Sequence, residues 1–206
     1  MAALPSARKE RDAGENLRLP FARKDNLRTV AGMNLKFQAL VLSIALAPAA
    51  LADVTVTLKD VHLCCSSCVK GVDKATATVS GATAVSDKDA ETVTITAPDN
   101  ATAQKAVDAL VAAGYFGVSS DPAIKVDATS GAPAGMVQSL MVEGVHLCCN
   151  TCVKDLNAAL AKVPGVKANT AAKNATSFEV TGDFNAQAVF TALHESGVTG
   201  KAGKTP

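Results

Sequence analysis

The decapeptide VHLCCSSCVK, Val61 to Lys70, returns 84 residues later as VHLCCNTCVK, Val145 to Lys154, and the two copies hold all six cysteines of a 206-residue chain. A duplication at that spacing means that one design is built twice, each time from only about 70 residues. Units that small lie near the lower limit for a self-supporting core. With no Trp, one Tyr and six Phe, small aliphatic side chains must fill it.

The duplication extends beyond the box. Laying residues 53–125 over 136–203 matches Val69, Val72 and Val79 with Val153, Leu156 and Val163. That three-to-four spacing predicts a helix from the box to Gly81 or Gly165. Before the box, Val54, Val56 and Leu58 alternate with polar partners as a half-buried strand does, and MVQSLMVEGV is its less regular counterpart. After the helix, ATAVSDKDAETVTITAP and VKANTAAKNATSFEVTGD each read as two strands around a polar turn. Gln104, Val107 and Leu110 then match Gln187, Phe190 and Leu193 on a second helix that stops at Gly114 or Gly197. A short last strand follows, clearer in GVSSDPAIKV than in GVTGKAG. Each repeat is therefore βαββαβ, which predicts an α+β fold of two ferredoxin-like sandwiches in tandem, residues 53–126 and 136–206. Between them, DATSGAPAG, residues 127–135, has the composition of a flexible linker.

The first fifty residues follow other rules. Residues 33–52, MNLKFQALVLSIALAPAALA, have a short basic start at Lys36, an apolar run from Ala39 to Leu46 and an A-x-A signal at Ala50–Ala52, the pattern of a secretory signal peptide cut before Asp53. The run is too short to span a membrane, and Pro48 interrupts it. Residues 1–32 are basic and aperiodic and stand outside the fold, either as an over-extended reading frame ahead of Met33 or as a long n-region. Every Arg lies at or before Arg28. From Asp53 onward 12 Lys face 15 Asp plus Glu, a balance of about −3 that weighs against a nucleic-acid partner. The expected location is exported and periplasmic, with no stable membrane insertion after cleavage.

In each repeat the box falls between the first strand and the first helix. Cys65 and Cys68, like Cys149 and Cys152, are separated by two residues, so both sulfurs can point to one centre from a loop and an opening helical turn. Thiolates so placed bind soft or borderline ions, Cu(I), Zn(II), Cd(II) or Hg(II), and a helix N-terminus lowers the thiol pKa. The competing reading in an oxidising compartment is disulfide chemistry. Three cysteines within five residues close no long loop and leave a remainder, which favours metal, but a thiol–disulfide redox carrier using the same cysteines stays open as the alternative.

These residues resemble the heavy-metal-associated domain of copper chaperones, metal-transporting ATPase N-termini and the periplasmic mercury-binding protein. The likeness is carried by Cys65-Ser66-Ser67-Cys68-Val69 and Cys149-Asn150-Thr151-Cys152-Val153 at the first strand-to-helix junction of a βαββαβ unit. Leu63 and Leu147 stand where that family has a buried Met, and AAGYFGV resembles its G-Y segment, which implies that Tyr115 lies near the metal loop; the second copy has Val198 there. Two features depart from the pattern. His62 and His146 replace a Gly, and Cys64 and Cys148 replace the residue before the first Cys, so each box offers three thiols and an imidazole. Two thiolates suit near-linear Cu(I) or Hg(II), a third favours a trigonal site, and three Cys with one His fit tetrahedral Zn(II).

The expected function is capture, buffering or delivery of a soft metal ion, Cu(I) first, with Zn(II) or Hg(II) as alternatives. Cys65, Cys68, Cys149 and Cys152 are the core ligands, Cys64 and Cys148 third ligands, and His62 and His146 fourth ligands or groups that hydrogen-bond the ligands. Each repeat is expected to hold one ion, with the two boxes passing metal between them or clamping one ion jointly. The expected partner is a membrane metal transporter or a metal-receiving protein. No paired carboxylates, Ser-His-Asp set or phosphate loop is present, so no catalytic residue is expected. His194, which has no counterpart in the first repeat, reads as a solvated helix histidine.

Overall fold

A computed structural model describes residues 52–204; the extension at 1–32 and, apart from Ala52, the signal segment at 33–52 lie outside the described residues. The first repeat runs β1 (Val54–Lys59), α1 (Ser66–Thr76), β2 (Thr83–Asp87), β3 (Thr92–Ala97), α2 (Asn100–Ala112) and β4 (Val118–Ser119). The second runs β5 (Met136–Glu143), α3 (Asn150–Leu160), β6 (Val166–Asn169), β7 (Ser177–Asn185), α4 (Ala186–Glu195) and β8 (Lys201–Ala202). The strands pair antiparallel in the orders β2-β3-β1-β4 and β6-β7-β5-β8. Two helices on each four-stranded sheet of that order make two ferredoxin-like α+β units.

Alternation explains the central strands. Val56 and Leu58 are buried on β1 and pair with Ile95 and Val93 on β3; Leu140 and Val142 on β5 pair with Val180 and Phe178 on β7. The irregular apolar pattern of the second copy corresponds to a register shift between Val137 and Ser139. The box helices end at Thr76 and Leu160, short of the expected glycines, and Val79 and Val163 sit in the turns beyond them. The last strands are two residues each, equally short in both repeats, because β4 pairs only with Leu58 and Lys59 and β8 only with Val142 and Glu143.

The helix starts differ in a way that matters for the site. Asp99 caps α2 by accepting from the Thr102 N–H at 2.7 Å, and Asn185 caps α4 by accepting from Gln187 and Ala188. By contrast, α1 and α3 start at Cys65 and Cys149, with no side-chain cap. At α1 the N–H groups of Ser67 and Cys68 instead lie beside the Cys65 sulfur and favour its thiolate.

Buried residues of both repeats form one continuous core. The repeats meet through loops: Tyr115 and Val198 form an isolated antiparallel bridge, the N–H groups of His62 and Phe116 donate to Gly197 O at 3.2 and 3.1 Å, and the Thr199 N–H donates to Gly114 O at 3.0 Å. The join at 127–135 has neither helix nor strand, but it is tied to the second repeat: Ala202 N–H donates to Ser130 O and Ala186 N–H to Gly135 O. His194 is half-buried rather than solvated. It stacks on Phe116 of the first repeat with ring centroids 4.0 Å apart and sets Nε2 3.1 Å from Thr199 Oγ1.

Candidate metal centre

The loop into each box turns through a left-handed residue, Asp60 or Gly144, and then runs extended. Val61 and Leu63 enter the core while His62 and Cys64 are half-buried between them; Val145, Leu147, His146 and Cys148 repeat the pattern. Period-two alternation thus gives His and the first Cys a common side, opposite the core. The C-x-x-C of each box then opens α1 or α3, with Cys68 and Cys152 fully buried.

The two boxes converge into one centre. Cys64 Sγ lies 3.4 Å from both Cys149 Sγ and Cys152 Sγ, and 3.7 Å from Cys68 Sγ. Cys148 Sγ is 3.4 Å from Cys68, 3.6 Å from Cys65 and 3.6 Å from Cys152. Within each C-x-x-C the sulfurs are 3.9 and 3.6 Å apart. All six are free thiols. The thiols of the two repeats thus lie in one shared cluster, in which Cys64–Cys65–Cys68 offers a three-thiol group within one repeat and the other groups join both.

The histidines part company. A ring nitrogen of His62 lies within 4.8 Å of the Cys64 and Cys152 sulfurs, and its Nε2 is buried without a hydrogen-bond partner, with Asp155 Oδ2 at 3.9 Å. His146 joins none of the ligand groupings. Its Nε2 is 3.1 Å from Tyr115 Oη, which donates to Cys68 O at 2.8 Å, and the two rings pack at 4.7 Å. Tyr115 thus braces the box backbone from beside the sulfurs.

Crowding divides the thiols electrostatically. Burial pushes Cys64 up, as do its contacts with Cys149 and Cys152; Cys68 is held up by the Cys152 thiolate and by burial. Burial also raises Cys148, to about 12. At Cys65 burial is outweighed by the backbone N–H groups of Cys68 and Ser67 and by the Cys148 thiol, which bring it down to about 6. Cys152 is lowered by the Cys68 thiol against burial, with further help from His62. His62 is correspondingly raised by Cys152, despite burial, and Asp155 adds to the effect; His146 is lowered by its burial.

This donor set fits a soft metal ion. The sulfur triads Cys64–Cys65–Cys68, Cys65–Cys148–Cys149 and Cys68–Cys148–Cys152 are each close enough for one ion to bridge, and ion–sulfur bonds of about 2.3 Å would set coplanar sulfurs about 4 Å apart. His62, with its Nε2 buried and unpartnered, is a further donor beside the cluster. Positions 62, 64 and 152 form one such group, joining ligands of both repeats. That the boxes meet, and that His62 and His146 differ, carries no periodic signal; only the Gly71/Asp155 and Tyr115/Val198 differences hinted at the asymmetry.

No protein-family model matches the chain, and no curated protein matches it. Among solved structures, it is similar to the N-terminal soluble domains of Bacillus subtilis CopA, determined in solution, at 16% identity over 74% of this chain and 95% of that one, with a TM-score of 0.26. A likeness of that size leaves fold and site to be argued from the chain's own residues.

Proposed function

We propose that this chain is an exported soft-metal-ion binding protein, of the Cu(I) class ahead of Zn(II) or Hg(II), that captures, buffers or delivers its ion through both boxes acting together. The observation that carries the reading is the convergence of all six cysteine sulfurs, with His62 beside them, into one cluster at the uncapped starts of α1 and α3. Thiolates select soft ions, and two helix N-termini favour their negative charge. A site made of soft ligands, with the His62–Asp155 pair set against the sulfurs, is read as binding cargo rather than as catalysing a reaction.

Delivery would be to a membrane metal transporter or another metal-receiving protein. Export to the periplasm rests on the segment at 33–52, and a mature N-terminus at Asp53 in the exported fraction would support it; an uncleaved, retained chain would overturn it. Among the described residues no helix is long and apolar enough to cross a membrane.

Anaerobic titration of the reduced chain with Cu(I), Zn(II) and Hg(II) against competing chelators tests the main reading. Tight binding, lost when Cys65 and Cys68 are replaced by Ser, is expected; no binding by any of the three sinks it. A thiol–disulfide carrier is the second reading, favoured by the lowered Cys65 thiol and by sulfurs 3.4 Å apart. It requires a reversible two-electron couple in the metal-free protein and turnover of a dithiol partner.

A further inference from the structure

The sulfur positions carry more than a metal preference. Besides the pairs within 3.9 Å, the ligand triads Cys64–Cys65–Cys68, Cys65–Cys148–Cys149 and Cys68–Cys148–Cys152 bring Cys64 to Cys65, Cys65 to Cys149, Cys148 to Cys149 and Cys68 to Cys152 within 4.8 Å. Together these close pairs are the edges of an octahedron. In that connectivity Cys64 and Cys148, Cys65 and Cys152, and Cys68 and Cys149 take opposite corners.

Three alternate faces of that octahedron are the three triads. The fourth is Cys64–Cys149–Cys152, with edges of 3.4, 3.4 and 3.6 Å, and His62 lies beside its Cys64–Cys152 edge. On alternate faces each sulfur belongs to two faces, so each can bridge two ions. Exchanging the repeats generates the other set of faces, which meets the first along every edge.

Resting on the reading of this centre as a soft-metal site, we propose that the six cysteines form one polynuclear thiolate cluster holding four Cu(I) ions, one on each of four alternate sulfur faces. Each thiol gives up its proton to solvent and gains bonds to two ions, while copper stays Cu(I). Three-coordinate binding suits a monovalent soft ion. Zn(II), which is four-coordinate, would need a further donor at every face, and His62 can supply only one. Four monovalent ions against six thiolates leave a net charge of about −2, which the N-termini of α1 and α3 face and offset. The assignment also gives the unusual cysteines a role: every face of the octahedron contains Cys64 or Cys148, so neither C-x-x-C alone makes one.

Native mass spectrometry of the reduced full chain under anaerobic Cu(I) titration, with X-ray absorption on the loaded protein, tests this. Expected are four ions per chain, sparse partly loaded species and a short metal–metal scattering path. One or two ions without that path overturn the cluster and leave soft-metal binding standing; no bound Cu(I) overturns the cluster, and failure of Zn(II) and Hg(II) to bind as well overturns both. The double variant C64S/C148S, its fold checked by circular dichroism, should bind at most two ions and lose the metal–metal path. If that folded variant still takes four, the face assignment is wrong.

Discussion

Positions 71 and 155 are counterparts on the two box helices, and their difference sets the fate of the histidines. A side chain at Gly71 would collide with the Tyr115 hydroxyl, so glycine there lets Tyr115 reach Cys68 O and His146. In the second repeat Asp155 takes the equivalent place and faces His62, with Val198 where Tyr115 would be. His62→Ala should therefore weaken Cu(I) binding by about tenfold or more, as loss of a ligand or of a group that orients one does. His146→Ala should leave affinity within a few-fold and cost stability by about 1 kcal/mol for the lost tyrosine contact, read by urea denaturation. Equal effects of the two on metal binding would refute the division of roles. The thiols make a second prediction, for the metal-free protein. Cys148, raised from 9.0 to about 12, keeps a proton in the fold that the unfolded chain surrenders, so its contribution is full below pH 9.0 and is lost as pH rises to about 12. Cys65, lowered from 9.0 to about 6, contributes fully above pH 9.0 and loses that contribution as pH falls toward about 6. Stability from these two thiols should peak near pH 9.0, a profile that metal loading flattens because the thiolates no longer titrate; denaturation midpoints across the window, with and without Cu(I), check it.

At the scale of elements, periodicity made the strands, the helices and their order legible, because each repeat buries one face against its partner layer. It did not reveal where those elements meet across repeats. Gly114 and Gly197 read as helix stops, and they are: both hold left-handed φ values, 90° and 73°. They are also contact points. A Cβ on Gly114 would lie 2.5 Å from His146 N, and one on Gly197 would lie 2.5 Å from Asp60 O, so each glycine presses on the loop leading into the other repeat's box. A glycine that ends a helix and a glycine that also admits a neighbouring backbone are the same letter in the sequence, and loop-to-loop docking has no period to read. The C-x-x-C was legible as a soft-ion clasp from its place before α1 and α3; the sharing of the clasp was not. Gly197→Ala should destabilise the fold by about 1–3 kcal/mol, combining strained backbone with the clash. It should also move His62 and Cys64 away from Cys149 and Cys152, making the thiols react faster with a disulfide reagent and lowering Cu(I) stoichiometry. Unchanged thiol reactivity in a destabilised Gly197→Ala protein would mean that the glycine serves the helix end alone.

For the molecule as a whole, one cluster built from two repeats makes metal affinity depend on their being joined. The continuous core and the exchanged hydrogen bonds at Gly114 and Gly197 hold the boxes together, and the join fixes the repeats in one chain at an effective concentration of about 1 mM or above. Loading by the intact chain is then unimolecular in protein, and its affinity should not change on dilution. Pro133 and Ala134 are exposed within the join, while Ser130 and Gly135 on either side are hydrogen-bonded to the second repeat, so a protease site inserted at Pro133–Ala134 opens the covalent link and leaves both flanks tied where they were. After cleavage the loaded protein should behave as two chains bridged by metal: Cu(I) held at high protein concentration should pass to a chelator on dilution, whereas the uncut protein, at the same dilution, retains it. Sedimentation of the cut sample should show separation of the halves as metal is lost. Retention of full affinity by the cut protein down to nanomolar concentration would mean that the loop contacts alone unite the repeats. Retention by either purified half alone would instead mean that each C-x-x-C serves its own ion, and the shared cluster would not be the binding state.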